Sequence, residues 1–156
     1  MFRPIVRLWL LIFVPFAILP FTFLSGIVVP HTALWGHAAF HLIYLPILAA
    51  GWWALWRFVR EPSNLALRVI AALMLLCETS AVFGHAGELV SVVQQGFFSA
   101  PSSLFSENPH KFFAKFALFP IIASQLLLIV LTVTAAVQRL LRRSPRVSAG
   151  QGSTSV

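Results

Sequence analysis

Charged side chains are scarce in this sequence: they make up 10% of its 156 residues, whereas 59% of the residues are hydrophobic. Soluble domains average about 25% charged residues, and a core of this size cannot hide the excess of apolar side chains. A mean hydropathy of +0.89 indicates the same. The composition therefore excludes a soluble globular domain and predicts a protein in contact with the lipid bilayer.

Several chemical motifs are also missing. Cys77 is the single cysteine, so the chain can form neither an internal disulfide nor a CxxC metal or redox motif. A glycine-rich phosphate loop, the HExxH motif of zinc peptidases and the GxSxG motif of serine hydrolases are absent as well. These absences leave the chemistry of the chain to groups inside its apolar stretches.

Four long apolar stretches are present, at about residues 8–29, 33–56, 69–94 and 116–137. A helix of about 20 residues crosses a bilayer core, and helix is the spanning structure open to so few segments. The first stretch is longer than a signal-peptide core and lacks a cleavage site, so we expect it to be retained. The sequence thus predicts an all-α polytopic membrane protein, with residues 1–143 forming four transmembrane helices in an up-down bundle.

Basic residues lie unevenly around these spans. All the arginines fall on one side of a four-span topology, whereas Lys111 and Lys115 fall on the other. The positive-inside rule then predicts that both termini are cytoplasmic, with residues 144–156 as a disordered tail. We expect a multi-pass protein of a bacterial plasma (inner) membrane. Its partners would be the bilayer and other membrane subunits or further copies of the chain, and not nucleic acid.

Two connections between the spans are informative. Residues 61–64 (Glu-Pro-Ser-Asn) form a short turn, in which Ser63 or Asn64 can cap the third helix, so the second and third spans should be antiparallel neighbours. The longer loop at 96–109 has apolar residues alternating with small ones and is expected to lie on the membrane interface with a short helix. His110, beside Lys111, should belong to this outer loop, where it could join an interfacial site, although we expect it to be solvated.

Three histidines and two glutamates lie inside the second and third spans, where such groups are costly and suggest function. At 100° per residue, His37, His41 and Tyr44 share one stripe, whereas Glu78, His85 and Glu88 share one face of the third span. Counting at 1.5 Å per residue puts His41 level with His85 and His37 level with Glu88, with Glu78 at the bilayer centre.

The first hypothesis is a cofactor site serving electron transfer or a membrane redox complex. In its haem b form, His41 and His85 supply the axial ligands, and Gly84 and Gly87 let the porphyrin approach. In its transition-metal form, four side chains form the ligand set: His37, His41, His85 and Glu88.

Other hypotheses remain open from the residues alone. Glu78 could hold a proton at mid-membrane and act as the acid of an isomerase-like or cyclase-like enzyme on a lipid-soluble substrate, with Tyr44 and His85 tuning it. The same groups could serve a proton relay, or fix the bundle of a structural accessory subunit. Whether the chain is an enzyme is left open by its sequence.

Overall fold

The computed structural model describes residues 2–24, 33–61 and 64–143. The predicted end of the first span, at 25–29, and the predicted tail, at 144–156, lie outside these residues. The described chain is helical. Its elements are α1 (Phe2–Leu8), a π-helical segment (Trp9–Phe13), α2 (Val14–Leu24), α3 (Trp35–Arg60), α4 (Leu65–Gln95), α5 (Pro101–Ser106) and α6 (Asn108–Arg143).

Four helical stretches of the described chain are long and apolar enough to cross a membrane: α1 to α2 with the π segment, α3, α4 and α6. Large apolar side chains such as Leu76, Phe119 and Leu126 are exposed on the outside of the bundle. Soluble monomers rarely expose large continuous apolar patches. The four spans and the apolar exterior therefore indicate a multi-pass membrane protein.

The helix α4 lies at the centre of the packing, against α6 on one side and α3 on the other, and α2 packs on α3. Small residues permit the close approach. A Cβ on Gly84 would lie 2.6 Å from the carbonyl carbon of Phe116 and 2.7 Å from Cα of Ala117. Gly51 of α3 faces the π segment less closely, since a Cβ there would lie 3.2 Å from the side-chain Cγ1 of Ile12. Close helix contact of this kind replaces the hydrophobic driving force that lipid does not supply.

The connections hold neighbouring helices antiparallel. Asn64 caps α4, because its side-chain oxygen accepts a hydrogen bond from the backbone N–H of Ala66 at 2.8 Å; the alternative cap, Ser63, lies outside the described residues. The turn after α4 uses Gly96 at a positive φ of 93°, a conformation that suits glycine. The expected short helix of the outer loop is α5.

The helices extend beyond the apolar stretches. The fourth helix begins at Asn108 rather than near 116, and the third begins at Leu65 rather than near 69. Hydropathy locates the lipid-crossing part of a helix, whereas backbone hydrogen bonding continues through flanking polar turns. The early start of α6 carries His110 into a helix, with consequences described below.

Impermeant thiol labelling tests the expected orientation. In a Cys77→Ala background, Ser102→Cys on α5 should react with an impermeant maleimide in intact cells. The reason is that the ends of the spans without arginine should face the outside of the cell. Glu61→Cys, which lies exposed after α3, should react only after permeabilisation. The opposite labelling pattern would place both termini outside.

Candidate metal centre

Four ionisable side chains from three helices meet near the α5 end of the bundle, where α5 joins α4 to α6. We call His37, His41, Glu88 and His110 the Glu88 cluster. Oε2 of Glu88 lies 3.5 Å from Nε2 of His37, 3.5 Å from Nε2 of His41 and 3.3 Å from Nε2 of His110. One carboxylate oxygen is thus surrounded by three imidazole nitrogens.

Helical spacing explains most of this arrangement. His37 and His41 are four residues apart on α3, so they share one face, and their ring centroids are 4.7 Å apart. Glu88 lies on the antiparallel α4 at the depth that the count of residues from the helix ends predicts. The predicted pairing of His37 with Glu88 is therefore confirmed by their 3.5 Å contact.

His41 and His85 also meet at the predicted common level. Their Nδ1 atoms are 3.1 Å apart, a hydrogen-bond distance, and His41 is fully buried. Rings pack around the pair: Tyr44 lies edge-on to His85 with centroids 5.0 Å apart, and Phe40 lies edge-on to it at 5.6 Å. The contact between the two Nδ1 atoms leaves Nε2 of His41 facing Glu88.

His110 corrects the sequence analysis, which placed it in a solvated outer loop. It lies in the first turn of α6, is 6% exposed and contacts Glu88. The signal for this was Asn108-Pro109, since asparagine favours the position before a helix and proline its first turn. The apolar periodicity starts later because Lys111 and Lys115 interrupt it.

The donor atoms of His37, His41 and Glu88 all lie within 4.8 Å of one another, so this group could hold a metal ion. A tetrahedral ion with bonds of about 2.0–2.1 Å places neighbouring ligand atoms about 3.3 Å apart. The three contacts of Glu88 Oε2, at 3.3 to 3.5 Å, are close to that spacing. Nε2 of His41 makes no hydrogen bond to the described residues, and it could serve as one of the ligand atoms of this group.

The geometry disfavours the haem form of the hypothesis. An iron held between His41 and His85 would need one nitrogen of each ring on either side of it, whereas the two rings meet through a direct contact of their Nδ1 atoms at 3.1 Å. The space beside the two glycines, where a porphyrin was expected to approach, is filled by α6. Gly84 packs on the backbone of Ala117, and Gly87 packs on the ring of Phe113.

Glu78 forms a separate polar site deeper in the bundle, about 15 Å below Glu88 by the helical rise. It is 1% exposed, and its Oε1 accepts a hydrogen bond from Ser124 Oγ at 2.6 Å. The second carboxyl oxygen, Oε2, makes no hydrogen bond to the described residues. The expected partners Tyr44 and His85 pack on each other instead. Sequence reasoning missed Ser124 because a lone serine in an apolar helix carries no signal.

Comparison of the chain with protein-family models, with curated proteins and with solved structures gives no match. The chemistry of the buried groups is therefore what indicates the function of the chain.

Proposed function

We propose that the Glu88 cluster binds one transition-metal ion, and that the protein uses it for electron transfer, alone or within a membrane redox complex. The observation that carries the proposal is the position of one buried carboxylate oxygen 3.3 to 3.5 Å from three imidazole nitrogens. His37, His41 and Glu88 are the first ligands proposed, and His110 is the fourth.

The donor types agree with this assignment. Imidazole suits iron, copper and zinc, and two histidines with one carboxylate are the usual ligand set of non-haem iron(II). A carboxylate buried among apolar helices is costly unless it is compensated by positive charge. A divalent cation held by His37, His41 and Glu88, whose donor atoms lie within 4.8 Å of one another, would supply that charge.

His85 acts in this proposal as a positioning residue rather than a ligand. Histidines that bind metals usually donate a hydrogen bond from the other ring nitrogen, which fixes the tautomer and the ring orientation. The contact between the Nδ1 atoms of His41 and His85 is suited to that role. With Nδ1 of His41 protonated, Nε2 presents its lone pair to the ion.

Metal analysis of the detergent-purified protein tests the proposal. The wild-type chain, expressed with iron, copper and zinc in the medium, should contain about one of these ions per chain, because metal binding needs a convergent donor set. Glu88→Gln should lose it, since the amide removes the anionic ligand without changing the shape. A visible spectrum with a Soret band would instead favour haem, and a metal-free wild-type protein would contradict the proposal.

An acid–base enzyme acting through Glu78 is the second candidate, favoured by the burial of this carboxyl and by its oxygen without a hydrogen bond. Glu78→Gln separates the two. It should retain the metal, because Glu78 lies about 15 Å from the Glu88 cluster by the helical rise. A metal-free protein that loses its cellular role on Glu78→Gln would put the acid–base function first.

A further inference from the structure

A cavity of about 390 Å³ lies beside the Glu88 cluster. Each span contributes to its wall: Phe16 from α2, Phe40 from α3, His85 from α4 and Ile121 from α6. Leu118 also lines it and is exposed on the outside of the bundle. In a membrane, a molecule dissolved in the lipid could therefore reach this cavity from the side.

The chemistry of the wall is divided. Most of the lining is apolar, whereas His37, His85, Glu88 and His110 bring polar groups to the side next to the cluster. Sites for small molecules have this character: they are mostly apolar, with a few polar groups that fix orientation, and they start at about 300 Å³. The cavity is thus large enough for one ring with substituents.

His85 defines what the polar part of such a molecule must offer. Of the two Nδ1 atoms in contact, one donates and the other accepts. If Nε2 of His41 binds the metal, Nδ1 of His41 donates and Nδ1 of His85 accepts, so His85 carries its hydrogen on Nε2. That nitrogen makes no hydrogen bond to the described residues, although His85 is only 6% exposed.

We propose that the cavity binds a lipid-soluble molecule with a ring and a carbonyl oxygen, of the quinone type, whose oxygen accepts a hydrogen bond from Nε2 of His85. This inference builds on the proposed metal site, because that site sets the tautomer of His85. A buried donor without a partner requires an acceptor. Apolar walls reject a charged headgroup, and a plain acyl chain offers no acceptor.

Calorimetric titration of the purified protein with a decyl-substituted benzoquinone tests the proposal, with decylbenzene as the probe that lacks oxygen. The wild-type protein should bind the quinone saturably and the hydrocarbon at least about tenfold more weakly, the worth of one hydrogen bond. Ala114→Phe should fill the cavity and abolish quinone binding. Ala123→Phe, on the opposite face of α6 at 100° per residue, is the matched control and should bind normally.

Variants of His85 test the hydrogen bond itself. His85→Leu should weaken quinone binding about tenfold, whereas His85→Gln, whose amide can accept from His41 and donate to the probe, should keep most of it. Equal binding of quinone and hydrocarbon, or equal behaviour of Ala114→Phe and Ala123→Phe, would overturn the proposal.

Metal analysis of the same samples separates this proposal from the one before it. Wild-type protein with metal but without quinone binding overturns the cavity assignment alone. Wild-type protein that binds the quinone at His85 without containing metal supports the cavity and overturns the metal site.

Discussion

Replacing His41 by phenylalanine is expected to lower the affinity for metal by more than about a hundredfold. Loss of a residue that only hydrogen-bonds a metal ligand typically costs about 10- to 100-fold. The variant keeps a ring in a fully buried position but removes the nitrogen that faces Glu88. His85→Phe should lower the metal affinity by about 10- to 100-fold only, because His85 contacts His41 rather than Glu88. Competition with a chromophoric chelator in detergent measures both affinities.

The comparison between these variants decides the role of each histidine. Tyr44→Phe is a matched control, since it preserves the ring against His85 and removes no nitrogen. If His85→Phe lost the metal completely while His37→Phe retained it, His85 would be a ligand, as the sequence alone suggested. Circular dichroism of each variant would show that the helices remain intact.

Much of the candidate site could be predicted from the sequence, because helical periodicity determines which residues of α3 and which residues of α4 share a face. The spacing of His37 and His41 puts them on one face, and the short turn at residues 61–64 makes the next helix antiparallel. Counting residues from the helix ends then aligns His41 with His85 and His37 with Glu88. Spacing along the helices could not show that His85 contacts the Nδ1 side of His41, away from Glu88. That distinction needs the positions of the atoms.

The sequence does not predict what α6 contributes to the candidate site. Its middle part is uncharged, so periodicity does not reveal which face meets α4. Packing determines the rotation: Gly84 and Gly87 admit α6 closely, and that approach brings Ser124 to Glu78 and His110 to Glu88. The glycines that suggested room for a porphyrin in fact admit a neighbouring helix, because small residues serve both purposes equally well in a sequence.

The π-helical segment is another feature that hydropathy cannot predict. The π-helical segment covers Trp9–Phe13, and the side-chain amide of Gln125 donates a hydrogen bond to the carbonyl of Ile12 in it at 3.4 Å. Irregular backbone at membrane depth is tolerated where neighbouring groups satisfy it. The polar residues of α6 thus meet specific partners on other helices, which fixes how α6 packs in the bundle.

The close contact between α4 and α6 predicts a large difference between two alanine substitutions. Gly84→Ala should lower the free energy of unfolding by about 3 kcal/mol, the upper part of the usual cost of overpacking, because the added methyl meets the backbone of Phe116 and Ala117. Backbone inside a helix cannot move aside alone, so α6 must shift as a whole. Unfolding in sodium dodecyl sulfate, followed by circular dichroism, measures the loss.

Gly87→Ala provides the control on the same helix. The atoms nearest its methyl are those of the Phe113 ring. Phe113 is partly exposed and must change rotamer to make room, whereas alanine favours helix over glycine by up to about 1 kcal/mol. The two effects oppose each other, so Gly87→Ala should change stability by less than about 1 kcal/mol. Since α6 carries His110, Gly84→Ala should also weaken metal binding, whereas Gly87→Ala should not. Equal stability of the two variants would mean that α4 and α6 are not in backbone contact at Gly84.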